Sequence, residues 1–390
     1  MNHIYLDHAA TTPMHPEVLQ AMLPYFTEQF GNPSSIHAWG RQAQFAIGQA
    51  RELIAARLKC APHEIVFTSG GTESNHIAIK GSLQATRVHT SSLHVITTEI
   101  EHHAILMPMK QLRQDGIEVT FVSVDSYGLV DVEEIQRAIR PDTVLISVMY
   151  GNNEVGTLQP LVEVSQLAKE RGILFHVDAV QALGKCSIDL TQLCVDMMSF
   201  SAHKINGPKG MGALYISQQT SISPLFVGGS QEKKRRAGTE HVAGIIGFAK
   251  AVELSMTQLS AYIDHMNQLR ECFFEELHRH MAPTDYVFNG HPTKRLPHIV
   301  NISFPGISSE TLLMNLDLAG VAISSGSACS SGSVEASHVL QAMHIPQEVM
   351  NSAVRFSFGF QNTREEIIEA VQKTSQIVER IRSQRIYSKL

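Results

Sequence analysis

Short apolar segments alternate with helical segments from residue 64 to residue 216, and this alternation constrains the fold more than any other feature. The segments predicted as strands are 64–68, 94–98, 118–124, 143–149, 173–177, 195–200 and 212–216. Because these segments are almost continuously apolar, both faces of the sheet that they form must be covered. We therefore predict an α/β fold, with a mainly parallel seven-stranded sheet enclosed by helices.

The last third of the chain follows a different pattern. One long helix is predicted over 242–275, and the segments after residue 283 alternate as a smaller α+β unit. We expect a large domain over 14–255 and a small domain formed by 1–13 together with 256–390.

The composition argues against several classes of function. The chain has 43% hydrophobic residues, 17% charged residues and a net charge of −6, which provides no basis for nucleic-acid binding. Neither a signal peptide nor a membrane span is predicted. The five cysteines form no CxxC pair and no metal-ligand spacing, so we expect a cytoplasmic protein without a bound metal.

Polar residues follow five of the predicted strands. In chain order they are Gly71 with Thr72, His102, Asn152, Asp178 and Lys204. In open α/β sheets, ligands bind at the carboxyl ends of the strands. A single polar residue of this kind is usually a solvated loop residue, but the coincidence at five strand ends predicts a ligand site.

The residue types indicate the chemistry of this ligand. The amine of Lys204 can form a Schiff base with an aldehyde cofactor. Asp178 can keep a pyridinium nitrogen protonated, because a carboxylate at a buried strand end is costly without a cation beside it. His102 can stack on a flat ring and can move protons near neutral pH. These residues predict pyridoxal 5′-phosphate as the cofactor, with Lys204 and His102 acting in catalysis.

Further polar residues complete the predicted site. Asn152 and Gln181 are suitable partners for O3′ of the cofactor. The phosphate cup is predicted to consist of Gly71, Thr72, Ser201 and His203. A strand followed by Gly-Gly-Thr and a helix is typical of a phosphate cradle, and an ordinary helix N-cap is the alternative for that segment.

Cys329 lies in a segment of small polar residues, Ser-Ser-Gly-Ser-Ala-Cys-Ser-Ser-Gly-Ser over 324–333. Such a composition predicts an exposed loop, whereas a structural cysteine is usually buried among apolar neighbours. We interpret Cys329 as a nucleophile on that loop.

The chain resembles the cysteine desulfurases of the NifS/IscS type, which are fold-type-I pyridoxal-phosphate enzymes of the class-V aminotransferase family. The resemblance runs nearly end to end. It is carried by YLDHAATTP, FGNPSS, EIVFTSGGTES, EHHAIL, NNEVGTLQP, HVDAVQ, SFSAHKINGPKG, RAGTE, SSGSACSSGS and VRFSFG.

The resemblance implies a function and further site residues. It implies that sulfur is taken from L-cysteine, leaving L-alanine and a persulfide on Cys329, and that Arg355 with Asn32 binds the substrate carboxylate. It also implies a homodimer in which Thr239 reaches the cofactor phosphate of the other subunit. Sulfur would pass to acceptor proteins, such as an iron–sulfur scaffold or a tRNA-thiolation enzyme.

Two other interpretations stay open at this point. Another fold-type-I enzyme, such as a selenocysteine lyase or an aminotransferase, would share the cofactor residues, but an aminotransferase would not need Cys329. A sulfur-binding scaffold without catalysis is disfavoured because the whole set of cofactor residues is present.

Overall fold

The computed structural model describes residues 3–87, 92–325 and 337–387. Its strands, in chain order, are β1 (Ile4–Tyr5), β2 (Ile65–Thr68), β3 (His94–Thr98), β4 (Glu118–Val122), β5 (Thr143–Met149), β6 (Leu174–Asp178), β7 (Met197–Ser201), β8 (Gly212–Ile216), β9 (Val287–Asn289), β10 (Ile299–Ser303), β11 (Val321–Ala322) and β12 (Ala353–Ser357). Its α-helices are α1 (Pro16–Met22), α2 (Pro24–Thr27), α3 (Ala38–Leu58), α4 (Gly71–His76), α5 (Ser82–Thr86), α6 (His103–Gln114), α7 (Val132–Ala138), α8 (Leu161–Arg171), α9 (Val242–Thr257), α10 (Leu259–His280), α11 (Ser309–Leu318), α12 (His338–Ala342), α13 (Gln347–Met350) and α14 (Arg364–Tyr387).

A seven-stranded sheet forms the centre of the larger part of the molecule. Its strand order is β2-β8-β7-β6-β5-β3-β4, and β8 is antiparallel to both of its neighbours while the other pairs are parallel. The predicted α/β fold with a mainly parallel seven-stranded sheet is confirmed.

Alternate residues of these strands pack into two separate hydrophobic clusters, one on each face of the sheet. Val95 and Leu145 belong to one cluster, whereas Ile96 and Ile146 belong to the other. This is the two-residue period of a strand. Both faces of the sheet are therefore covered by apolar side chains.

The register of the sheet brings those ends together. Asp178, the last residue of β6, is paired with Met149 at the end of β5 and with Ser199 near the end of β7. Residues that follow β5, β6 and β7 therefore meet at one edge of the sheet, although they are far apart in the sequence.

The smaller part of the molecule has its own core. It contains the antiparallel sheet β12-β10-β9 and the parallel pair β1-β11, against which α10, α11 and α14 pack. Phe273 lies within 4.9 Å of Phe356 and 6.1 Å of Phe358, measured between ring centroids. Val339 and Leu340 of α12 join the core of the larger part instead. The domain limits at residues 13 and 255 stay predictions.

The single helix predicted over 242–275 is wrong. The chain forms α9 and α10, which are separated at Gln258 by a bend of 70°. Among the described residues, no single helix has the length and apolar character needed to cross a membrane, and only this bent pair meets those two criteria jointly.

Candidate active site

A cavity of about 310 Å³ lies at the carboxyl edge of the central sheet. We call it the cofactor cavity. Its lining includes Ala9, Ala10, Gly71, Thr72, Asn75, His102, Asn153, Asp178, Gln181, Ser201, His203, Lys204 and Arg355. Most of the residues predicted from the sequence are thus gathered in one place.

Lys204 lies on a single 3₁₀ turn, Ala202–Lys204, that directly follows β7. Its ammonium group donates hydrogen bonds of 2.7 Å to the carbonyl oxygens of Ala9 and Ala10. The N-terminal segment is held there because the Thr12 hydroxyl donates to the His203 carbonyl at 2.7 Å. The lysine is therefore oriented by backbone acceptors that no local sequence pattern indicated.

Asp178 is 5% exposed and is held by two donors. One carboxylate oxygen accepts a 2.7 Å hydrogen bond from the side-chain amide of Asn75, and the other accepts a 3.0 Å bond from the backbone N–H of Val180. Asn75, on α4, is a site residue that the sequence interpretation missed. Its buried amide oxygen has no hydrogen-bond partner among the described residues.

His102 is the N-cap of α6, and its Nδ1 accepts a hydrogen bond from the backbone N–H of Ala104 at 3.1 Å. This bond requires a lone pair on Nδ1, so the neutral ring carries its proton on Nε2. Burial lowers the pKa of His102, and Asp178 opposes that shift. The ring is consequently placed in the cavity as a neutral group that can exchange a proton.

Glu101 precedes this histidine and is fully buried. Its carboxyl oxygen accepts hydrogen bonds from the Thr98 hydroxyl at 2.7 Å and from the backbone N–H of Met149 at 2.9 Å. The side chain thereby joins the carboxyl ends of β3 and β5. Burial is the main reason why the pKa of Glu101 is raised to about 8.

The four residues predicted to form the phosphate cup line one cavity together. They are Gly71, Thr72, Ser201 and His203. A β-carbon on Gly71 would lie 2.5 Å from the Cγ2 atom of Val180, so only glycine fits there without movement of its neighbour. Nδ1 of His203 is 3.1 Å from the Thr11 hydroxyl. Burial, followed by the charge of Lys204, lowers the pKa of His203 to about 4.

The two predicted O3′ partners differ in their positions. Gln181 lines the cavity, and its amide nitrogen donates to the Ala9 carbonyl at 2.8 Å. Asn152 does not line the cavity, because its amide is used inside the turn that follows β5. There it donates to the Ile100 carbonyl and accepts from the backbone N–H groups of Glu154 and Val155.

Asn153 lines the cavity in place of Asn152. The assignment of Asn152 is therefore corrected by one residue. In a sequence of two adjacent asparagines, no local signal distinguishes the one that turns inward.

Arg355, in β12, reaches the cavity from the smaller part of the molecule. It is 3% exposed and donates to the Asp7 carboxylate at 2.7 Å and to the Asn153 carbonyl at 2.8 Å. Its buried Nε has no hydrogen-bond partner among the described residues. The backbone of Arg355 also pairs in both directions with Ser324, which precedes the segment containing Cys329.

Two further predicted residues, Asn32 and Thr239, do not line the cofactor cavity of this chain. Asn32 is exposed in the loop before α3, where its amide oxygen accepts from the Ser34 N–H. Thr239 is exposed and lines a different pocket together with Arg236 and Glu240. Cys329 lies outside the described residues, so its position stays a prediction.

Residues 4–370 match the family model of class-V aminotransferases. "Cysteine desulfurase IscS" of Dictyoglomus turgidum is 47% identical over 97% of this chain and 95% of its own length. A solved structure titled "NIFS-like protein" is 37% identical and has a TM-score of 0.90, with 97% of this chain and 99% of that chain covered. A second, "SspA in complex with cysteine", is 36% identical and has a TM-score of 0.79, with 91% and 98% covered.

The chain belongs to the class-V aminotransferase family. Its cofactor is pyridoxal 5′-phosphate, and the predicted fold type and the predicted class of pyridoxal-phosphate-dependent cysteine desulfurase are confirmed.

The residues present fit this cofactor. The cavity combines a lysine amine, a carboxylate fixed by two donors and a glycine cradle that a side chain would fill. These are the groups needed for the aldehyde, the ring nitrogen and the phosphate. Among the described residues, no group of three histidine, cysteine or acidic side chains could hold a metal ion.

Proposed function

We propose that this enzyme removes sulfur from L-cysteine, releases L-alanine and carries the sulfur as a persulfide on Cys329. The observation that carries the proposal is the presence of Lys204 and Arg355 in one cavity. An amine that would bind an aldehyde cofactor thus shares a cavity with a guanidinium that would bind the substrate carboxylate. The cysteine bound to the related SspA structure supports the choice of substrate.

The bound cofactor would supply an electron sink that withdraws electrons from the substrate Cα. Lys204 would hold its aldehyde, Asp178 its ring nitrogen, and Gly71, Thr72, Ser201 and His203 its phosphate. Gln181 would form a hydrogen bond with O3′ of the cofactor, and Asn153 would be a second amide in the same cavity. The role of Asn32 in binding the substrate carboxylate stays a proposal; within this chain Asn32 is exposed, and its amide oxygen accepts a hydrogen bond from the Ser34 N–H.

The protein side chains would divide the proton transfers. The neutral amine of Lys204 would accept the proton from the substrate Cα, and the Nε2 proton of His102 would be available for return to the substrate. Arg355 would hold the substrate carboxylate through bidentate hydrogen bonds, for which its unpartnered Nε supports the assignment.

In the sulfur-transfer step, the thiolate of Cys329 would attack the sulfur of the substrate. A sulfur–sulfur bond forms while the carbon–sulfur bond of the substrate breaks. The electron pair of the broken bond passes to the carbon that becomes the methyl group of alanine. That carbon takes up a proton. The products are alanine and a persulfide, and no external oxidant is required.

A direct assay tests this function. Alanine and total sulfide are measured with L-cysteine for the wild type, for Cys329→Ala and for the control Cys194→Ala, which removes an exposed thiol. We expect Cys329→Ala to lose alanine formation and Cys194→Ala to retain it. Mass spectrometry of the wild type should find one additional sulfur atom on the peptide that contains Cys329. Turnover of an amino-acid and keto-acid pair by Cys329→Ala would instead indicate an aminotransferase.

We also propose a homodimer with shared sites. Large apolar side chains are exposed along α1, α2 and α3 and the loops between them: Leu19, Leu23, Phe26, Phe30, Ile36, Trp39 and Phe45. An apolar surface of this kind supports burial against a second copy. Thr239 is exposed and lies in a pocket other than the cofactor cavity, which supports its assignment to the phosphate of the other subunit.

A mixed dimer distinguishes a shared site from a separate one. We expect the Lys204→Ala dimer to be inactive and the Thr239→Ala dimer to lose activity at limiting cofactor. The two variants are then coexpressed to form mixed dimers. If Thr239 acts on the other subunit, the mixed dimer contains one intact site and activity returns. If Thr239 acts within its own chain, both sites carry a defect and activity stays low.

The acceptor of sulfur and the compartment also belong to this proposal. We propose that the sulfur passes to an iron–sulfur scaffold or to a tRNA-thiolation enzyme. Capture of partner proteins by the persulfide-loaded enzyme would test this proposal.

A cytoplasmic location is supported by the free thiols of Cys60, Cys186, Cys194 and Cys272.

A further inference from the structure

Lys185 is a buried lysine that the proposed reaction does not use. It lies in the turn that follows β6 and is 3% exposed. Its ammonium nitrogen is 3.3 Å from the side-chain oxygen of Gln181 and 3.0 Å from Nε2 of His298. Both partners are uncharged, and among the described residues no carboxylate forms an ion pair with Lys185. A buried ammonium group without a counter-ion is costly to the fold.

The charged and titratable groups around Lys185 increase this cost. The pKa of Lys185 is lowered to about 7, mainly by burial and then by the positive charge of Lys204, while Arg355 adds to the effect and Cys186 opposes it. Two histidines, His298 and His8, also interact electrostatically with Lys185. Burial lowers the pKa of His298 well below its ordinary value and that of His8 to about 4, so both rings are neutral near pH 7.

Lys185 is connected to the cofactor cavity through Gln181. In its charged form, which predominates below about pH 7, Lys185 is an ammonium group that can only donate, so it selects the oxygen of the Gln181 amide. The amide nitrogen is consequently turned toward the Ala9 carbonyl, which also accepts from Lys204. A flipped Gln181 amide would place its NH₂ group against the Lys185 ammonium and its oxygen against a carbonyl. Lys185 therefore decides which atom of Gln181 the cofactor would meet.

Lys185 itself does not line the cofactor cavity. It lines a second cavity of about 210 Å³, which we call the rear cavity and to which Lys204 and Tyr262 also contribute. Lys204 lines both cavities. Lys185 is thus outside the cofactor cavity and can influence the cofactor only through Gln181 and through its charge.

We propose that Lys185 is a positioning residue that orients Gln181 for the cofactor and adds a positive charge behind Lys204. In the protein without cofactor, the positive charges of Lys185 and Lys204 repel each other. The negative charges of the bound cofactor would offset this repulsion. This inference rests on the assignment of Lys204 and Gln181 to the cofactor, which belongs to the proposed function.

The test uses Lys185→Met in the full-length chain, with Lys169→Met as the matched control. Lys169 is an exposed lysine on α8, so its replacement removes the same charge at a distance from the cavity. Three quantities are measured: the Kd of the cofactor-free protein for pyridoxal 5′-phosphate, the pH dependence of the visible absorbance of the holoenzyme, and the Tm of the cofactor-free protein.

We expect Lys185→Met to weaken cofactor binding by about tenfold, which corresponds to about 1.4 kcal/mol. The absorbance transition should move upward by about one pH unit, because loss of a neighbouring positive charge makes protonation of the Lys204 nitrogen easier. The Tm should stay equal or rise, since a buried charge without a counter-ion has been removed. A purely structural role would lower the Tm together with the affinity.

A double-mutant cycle separates the two effects. In a Gln181→Leu background, Lys185→Met should weaken cofactor binding less than it does in the wild type, because the amide it orients is absent and only its charge still acts. The shift of the absorbance transition should persist, because it depends on charge alone. The proposal is overturned if Lys185→Met has the same Kd and the same absorbance transition as Lys169→Met. It is also overturned if Lys185→Met lowers the Tm as well as the affinity for the cofactor. None of these readouts involves turnover of cysteine, so failure of the proposed reaction would be recognised separately.

Discussion

The side-chain amide of Asn75 donates a hydrogen bond of 2.7 Å to the carboxylate of Asp178, across 103 residues of sequence and inside the core. The bond leaves Asp178 with a fixed orientation in the cofactor cavity. Its other oxygen is occupied by the backbone of Val180. The orientation of the carboxylate is therefore determined by α4 and by the turn after β6, before any ligand binds.

Replacement of Asn75 by Leu should weaken cofactor binding. A hydrogen bond to a charged group contributes about 1.5–3 kcal/mol, so we expect the Kd for pyridoxal 5′-phosphate to rise by roughly tenfold to a hundredfold. Absorbance titration of the cofactor-free protein measures this change. Asn351→Leu, at an exposed position, is the control. An unchanged Kd in Asn75→Leu would show that the bond does not support the cofactor.

Arg355→Lys should raise KM for L-cysteine more than it lowers kcat. Lysine keeps the positive charge but cannot form the bidentate contact with a carboxylate. We expect KM to rise by roughly tenfold to a hundredfold, because the lost interaction is made by the bound substrate and by the transition state alike. Steady-state kinetics separate the two constants. A fall in kcat at constant KM would instead assign Arg355 to the chemical step.

Arg51 and Glu232 should be strongly coupled in stability. Their side chains are 16% and 3% exposed, and the guanidinium donates two hydrogen bonds of 2.8 and 2.7 Å to the carboxylate. Glu232 also has a φ of 45°, a left-handed conformation that this pair helps to hold. Removal of one partner leaves a buried charge and should cost about 3–5 kcal/mol in the free energy of unfolding.

Urea denaturation of Arg51→Met, Glu232→Gln and the double variant measures this coupling. The double variant should be more stable than the sum of the single effects predicts. Arg137→Met removes a guanidinium that is 60% exposed and should leave the free energy of unfolding almost unchanged. Additive effects of the buried pair would refute the coupling.

Glu101 should make the stability of the fold depend on pH. Its pKa is raised to about 8 in the folded protein by burial, above that of an ordinary glutamate in the unfolded chain. The folded state therefore binds more protons between pH 4.5 and 8, and stability should fall as the pH rises through this window. Glu101→Gln mimics the protonated carboxyl and should flatten that slope. Urea midpoints measured from pH 5 to about pH 8.5 test it, and an unchanged slope would contradict the assignment.

The site could be predicted where its residues follow the strands directly. Asp178 is the last residue of β6, and Lys204 comes three residues after β7, so the strand pattern alone placed both at one edge. The prediction was wrong for Asn152 and did not include Asn75. Which of two adjacent asparagines faces inward depends on the turn after β5, and the role of Asn75 depends on its contact with a distant strand.

The sequence by itself determined the strands, the mainly parallel sheet and the lysine–aspartate pair, because apolar runs and the residues that end them are local properties. Only the tertiary structure decided that the Ala9 and Ala10 carbonyls hold Lys204 and that Lys185 lies behind it against Gln181 and His298. It also decided the break between α9 and α10 at Gln258. Such features depend on how remote segments pack, and no local pattern of residues encodes a contact between them.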